Sequence, residues 1–140
     1  MKYKLIIFGI ILGFGTLLNA QSMIGLSKEV VLEKVKKEHR EFRKDASVIK
    51  QQFNYLKYVN GMRTRTWIIY FTDEDICRTS KLVCDYSEYN EELEKLNNNY
   101  EKTGDSLWEY TLDNVTIQVE LIKLEWYFTI RETRKPEAGE

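Results

Sequence analysis

The run Phe-Asn-Tyr-Leu-Lys-Tyr-Val at residues 53–59, the dipeptide Asn60-Gly61 and the run Thr-Arg-Thr-Trp-Ile-Ile-Tyr-Phe at residues 64–71 decide the fold class of this 140-residue chain. Both runs are rich in aromatic and β-branched residues, which suit the pleated surface of a strand. Asn-Gly between two such runs signals a hairpin, because a two-residue hairpin turn asks for positive φ at both positions. In the second run Trp67, Ile69 and Phe71 share one parity, and Ile68 and Tyr70 the other. Apolar residues on both faces predict a central strand, covered in part on each side.

Toward the C-terminus, Asp73-Glu74-Asp75 reads as a polar turn and residues 76–86 as a returning strand with Ile76, Leu82, Cys84 and Tyr86 on one parity. Ser87 is placed to cap a helix carrying Tyr89, Leu93, Leu96 and Tyr100 at helical spacing, with Asn97-Asn98-Asn99 and Gly104 marking its end. Residues 107–112, 115–121 and 124–131 read as further strands. Val115, Ile117, Val119 and Leu121 are odd, whereas Ile122, Leu124, Trp126, Phe128 and Ile130 are even. A period of two cannot change phase inside a regular strand, so a turn or bulge is expected near 121–124. Toward the N-terminus, Ser27 is placed to cap a helix over 27–44, with Leu32, Val35, His39 and Phe42 on a narrow apolar stripe. The fold class is therefore α+β: an antiparallel sheet of five to six strands packed by two helices, in the order αβββ-αββ(β). The halves share no visible sequence identity, so element order alone suggests a duplication.

Lys2 and Lys4 precede a 14-residue apolar run from Leu5 to Leu18, which ends at Leu-Asn-Ala-Gln. A membrane span needs roughly 20 such residues. The charged start, apolar middle and small Ala20 instead have the layout of a secretory signal peptide. Residues 1–20 are expected to be removed, leaving a single α+β domain over 21–133 and a loose tail over 134–140, exported to the periplasm or the medium with no membrane span. The lysine-led run ending in Leu-Leu-Asn-Ala-Gln, the stretch Tyr70-Phe71-Thr72-Asp73-Glu74-Asp75-Ile76-Cys77 and the ending Trp126-Tyr127-Phe128-Thr129-Ile130 together resemble small signal-peptide-bearing exported proteins of flavobacteria and their relatives, which have no assigned function. The resemblance implies a compartment and no activity.

The 21 Lys+Arg against 22 Asp+Glu leave no basic excess to make nucleic acid the default partner. One histidine and two cysteines cannot build a four-ligand Cys/His zinc site. Phosphate-cradling glycine loops and the Gly-x-Ser-x-Gly elbow are missing, so neither a cofactor nor a metal is expected. Asp73-Glu74-Asp75 lacks the spacing of a calcium loop and reads as a solvated turn. Cys77 and Cys84 face each other if Ser80-Lys81 is a hairpin turn; in one continuous strand they lie roughly 23 Å apart, too far for a disulfide. On the continuous reading Cys84 is a core residue and Cys77 sits on the other face. Asp105-Ser106-Leu107 resembles the short O-glycosylation pattern of the same bacterial group, which makes Ser106 a candidate acceptor. Charge is uneven: residues 28–50 hold eight Lys/Arg and five Asp/Glu, and residues 73–101 three and nine.

Nine tyrosines and three tryptophans are the more specific feature. Tyr55, Tyr70 and Tyr127 are expected on a strand face away from the helices, flanked by Arg63 and Arg65, where aromatic rings suit protein or sugar contacts. The reading is a non-catalytic exported interaction module for a protein or envelope component. One rival is a small envelope hydrolase using His39 with a nearby carboxylate. Another is a homodimer in which the second sheet face is buried by a second copy.

Overall fold

The computed structural model describes residues 22–49 and 51–139, so the signal-peptide reading of residues 1–20 lies outside the described residues. Helix α1 (Lys28–Glu38) leads into strands β1 (Phe42–Lys44), β2 (Tyr55–Asn60), β3 (Arg65–Phe71) and β4 (Cys77–Asp85). A single 3-10 turn, Tyr86–Glu88, opens helix α2 (Tyr89–Asn99), followed by β5 (Glu101–Gly104), β6 (Leu107–Leu112), β7 (Val115–Lys123) and β8 (Tyr127–Arg134). The strands form one antiparallel sheet in the order β1-β2-β3-β4-β8-β7-β6-β5. A helix followed by a four-stranded meander thus occurs twice. The two units join where β4 pairs with β8, from Thr79↔Thr133 to Asp85↔Tyr127.

The class is α+β, but the sheet has eight strands rather than five to six. The additional strands are β1 and β5, which form the two edges. They read Phe-Arg-Lys and Glu-Lys-Thr-Gly, too short and too polar to show an alternating pattern, as suits edges that must not pair with other chains. β1 lies inside the expected helix 27–44, which ends at Glu38 instead. Ser27 Oγ accepts from the Val30 amide at its start, and His39 caps its end with φ −123° and ψ 55°. The Phe42 amide then donates to the His39 carbonyl at 3.0 Å, turning the chain into β1. Phe42 still meets Trp67, with ring centroids 5.4 Å apart, so the apolar spacing runs through the bend.

The β2–β3 hairpin forms with a longer turn than Asn-Gly suggests. Positive φ falls on Arg63, at 58°, and not on Asn60 or Gly61. The buried Asn60 amide organises the turn: its Nδ2 donates to Thr64 Oγ1 at 2.8 Å, and its Oδ1 accepts from the Arg65 amide at 2.9 Å. The turn with positive φ at both central positions is Asp113-Asn114, at 49° and 64°, between β6 and β7. The phase change expected near 121–124 is the turn over Leu124, Glu125 and Trp126, where the Leu124 amide donates to the Tyr127 carbonyl at 2.9 Å. Sheet pairing continues to Lys135, whose amide donates to the Thr116 carbonyl at 2.9 Å.

Both helices pack on one face of the sheet. Val31 and Val35 of α1 close over Leu56, Tyr58, Ile69, Phe71 and Cys77, while Leu96 of α2 closes over Cys84, Trp108, Val119, Leu121 and Phe128. No helix among the described residues covers the other face, where Tyr55, Lys57, Tyr70, Lys81 and Arg131 stand by strand alternation.

Candidate functional site

A cleft opens on the helix-covered face of the sheet, between the bend that joins α1 to β1 and helix α2. It measures about 320 Å³ and is floored by β3, β4 and β8 through Trp67, Ser80, Leu82 and Ile130. One wall is His39, Glu41 and Phe42, where α1 gives way to β1; the other is Glu92, Lys95, Leu96 and Tyr100 from α2 and its end. Each αββββ unit therefore supplies one wall.

The aromatic side of the cleft is held by Trp67. Its Nε1 donates to Ser80 Oγ at 2.7 Å, and His39 meets its ring edge-on at 5.0 Å between centroids. His39 Nδ1 lies 3.8 Å from Glu41 Oε1. The cleft thus pairs His39 with a carboxylate and an indole, and not with a hydroxyl or thiol to activate.

The charged side is knit by ion pairs, with the buried Arg65 Nε as its one donor without a hydrogen-bond acceptor among the described residues. Arg65 Nη1 lies 3.3 Å from Glu92 Oε1 and its Nε 4.0 Å from Glu88 Oε2, while Lys95 Nζ lies 2.9 Å from Glu91 and 3.1 Å from Glu92. Burial works against the Lys95 ammonium, yet its hydrogen bonds to Glu91 and Glu92 outweigh that and lift its pKa. The hydrogen bond from Lys95 holds the Glu91 carboxyl below its ordinary range. Glu88, Glu91 and Glu92 bring carboxylate oxygens within 4.8 Å of one another. Arg65 and Lys95 pair with all three, offsetting two of the three negative charges.

Glu132 is the exception. It projects from β8 beside Ser80, on the helix-covered face, and lines the cleft half-buried. Burial pushes its carboxyl up to about 7, with hydrogen bonding to Tyr110 working in the opposite direction. None of the ion pairs among the described residues includes it. Tyr110 interacts with Ser22 and Glu132, but its buried hydroxyl makes no hydrogen bond of regular geometry. Its ring stacks on Tyr100 at 4.6 Å. Burial raises both phenols well above their ordinary range, so they stay neutral beside the acid.

The residues singled out from sequence fall in three places. Tyr55 and Tyr70 stand on the open face at one end of the sheet, ring centroids 6.4 Å apart, with Tyr55 Oη accepting from the Ile49 amide at 2.8 Å. Tyr127 is on the same face at the other end: Tyr70 pairs with Thr79 and Tyr127 with Asp85, six residues along β4, or roughly 20 Å. Arg63 sits at that second end in the β2–β3 turn, beside the exposed Met62 (82%), while Trp126 (79%) sits on the neighbouring β7–β8 turn. Arg65 is on the opposite face, in the cleft, so it does not flank those tyrosines. Ser106 is exposed in the β5–β6 turn.

Cys77 and Cys84 are free and buried in one unbroken strand, which overturns the hairpin and disulfide alternative. Phe71 pairs with Cys77 and Tyr70 with Thr79, leaving Arg78 as a bulge residue. That bulge shifts the alternation by one and brings Cys77 to the helix-covered face with Cys84, correcting the expectation of opposite faces. Burial raises both thiols to about 12.

Sequence reasoning missed Glu92 and Glu132. Glu132 continues the even parity of Phe128 and Ile130, and Glu92 lies beside Leu93 and Leu96 on the apolar stripe of α2. An acid in an apolar register was the available signal. Compared with known proteins, the chain matches no family model, no curated protein and no solved structure.

Proposed function

We propose that this chain is an exported, non-catalytic binding module whose ligand enters the cleft between the α1–β1 bend and α2. The observation that carries this reading is the cleft itself: about 320 Å³, floored by apolar and aromatic side chains, with a few converging polar groups. That is the lining and the lower size range of small-ligand sites. Export rests on the signal-peptide layout of residues 1–20. The absence of catalysis is supported by the state of the reactive groups: the Ser80 hydroxyl is engaged by Trp67, and the thiols are raised to about 12.

Indole, a neutral aromatic probe, tests the site. Titrated into mature protein, it is expected to shift the Trp67 side-chain N–H resonance and leave that of the exposed Trp126 in place. Leu82→Phe, which fills part of the floor, should weaken the response. A shift confined to Trp126, or none at either residue, would remove the cleft as the binding site.

A further inference from the structure

We propose that the cleft takes a free, low-molecular-weight amine, its ammonium set against Glu132 and its aromatic or apolar body against Trp67. This deepens the binding-module reading and rests on it.

Charge complementarity is the first argument. Arg65 and Lys95 are the cations lining the cleft, and both are held by Glu88, Glu91 and Glu92. Glu41, Glu92 and Glu132 line it as well, so the acids outnumber the bases even before Glu88 and Glu91 are counted. Glu41 is exposed and meets only His39, and Glu92 is held by Arg65 and Lys95, whereas Glu132 is withdrawn from water with no ion-pair partner among the described residues. A carboxylate withdrawn from water without a partner is costly to ionise, and an entering ammonium supplies both the charge and the hydrogen-bond donors it lacks.

The surroundings of Glu132 make the second argument. Tyr100 and Trp67 line the same cleft, and Tyr110 touches the acid. Aromatic faces attract ammonium groups most strongly where water is scarce. An anionic ligand would meet the unpaired acid, and a divalent ion would find one carboxylate where it needs several oxygen ligands. The cleft volume is that of a small molecule, which favours a free amine over a lysine side chain carried on a protein.

The groups facing Glu132 are Tyr110 from β6, Tyr100 from the end of α2 and Cys77 from β4. All three are neutral between pH 6 and 8. In that range Glu132 passes from mostly protonated to mostly ionised, because burial places its titration at about 7. An alkylammonium, with a pKa on the order of 10, stays charged throughout. Amine affinity should therefore rise about tenfold from pH 6 to pH 8.

The test titrates mature protein with tryptamine, with 3-methylindole and with Nα-acetyl-lysine N-methylamide, following the Trp67 side-chain resonance at pH 6 and pH 8. Support is a tryptamine affinity at least tenfold above that of 3-methylindole at pH 8, a rise with pH for tryptamine that 3-methylindole does not show, and loss of both in Glu132→Gln. That variant also separates Glu132 from any contribution of His39 on the opposite wall. Equal binding of tryptamine and 3-methylindole would overturn the amine while leaving the cleft as the site. Tighter binding of the lysine derivative would overturn the free amine in favour of a protein side chain. Silence from all three probes would remove the binding-module reading together with the proposal.

Discussion

Glu132 shows how one residue can set the pH response of the fold. Its carboxyl titrates at about 7, against an ordinary 4.5, so the folded chain holds a proton that the unfolded chain has already released. Its contribution is intact below the unfolded value and is lost as pH rises through the folded one. Glu132→Gln, which mimics the protonated acid, should remove this fall and exceed the parent in stability at pH 8 by as much as about 3 kcal/mol. Urea midpoints of the two proteins at pH 5 and pH 8 measure the difference, and parallel behaviour would place the titration elsewhere. Cys77 and Cys84 make the opposite point, since burial leaves both thiols inert. Iodoacetamide at pH 8 should leave both cysteines of the native protein unmodified and alkylate both in denaturant. Rapid native labelling would contradict the burial of β4.

Turns and edges are the elements that separate what the sequence encodes locally from what the sheet imposes. Gly61 does not use the freedom that distinguishes glycine: its φ is not positive, and a Cβ there would meet nothing within 4 Å. Gly61→Ala should thus be neutral or stabilise by about 0.4–1 kcal/mol through the unfolded chain. Asn60→Ala should cost about 1–3 kcal/mol, because it leaves the Arg65 amide without its acceptor. Chemical denaturation of the two variants compares the positions directly; a larger loss at Gly61 would restore the two-residue turn. The hairpin, both helices, the long strands and the phase change before β8 were legible because each repeats an apolar period over many residues. β1 and β5 were not, because three or four polar residues at an edge carry no period. Arg78 was equally silent. A bulge is visible only against the partner strand, and it moved Cys77 to the other face.

At the scale of the whole molecule, the two αββββ units meet along β4 and β8, and the cleft lies over that seam. Its site was illegible in sequence for the same reason. His39, Trp67, Glu92 and Glu132 come from both halves, and strand parity gives each residue a face without saying which strands are neighbours. The seam pairs Leu82 with Ile130 and Cys84 with Phe128, and Ser22 at the start of the described chain reaches Tyr110 in the second unit. A unit unfolding alone would expose the inner edge of its partner and the apolar residues along it, so the two should unfold together. Trp67 and Trp108 provide one probe in each unit. With 5-fluorotryptophan incorporated, their fluorine signals should disappear at the same urea concentration. Phe128→Ala, which removes a fully buried ring beside the seam, should lower both midpoints in step by about 3–5 kcal/mol of stability. Trp108 melting first, with Trp67 unmoved, would mean that the units are independent and that the cleft is an opening between separable bodies.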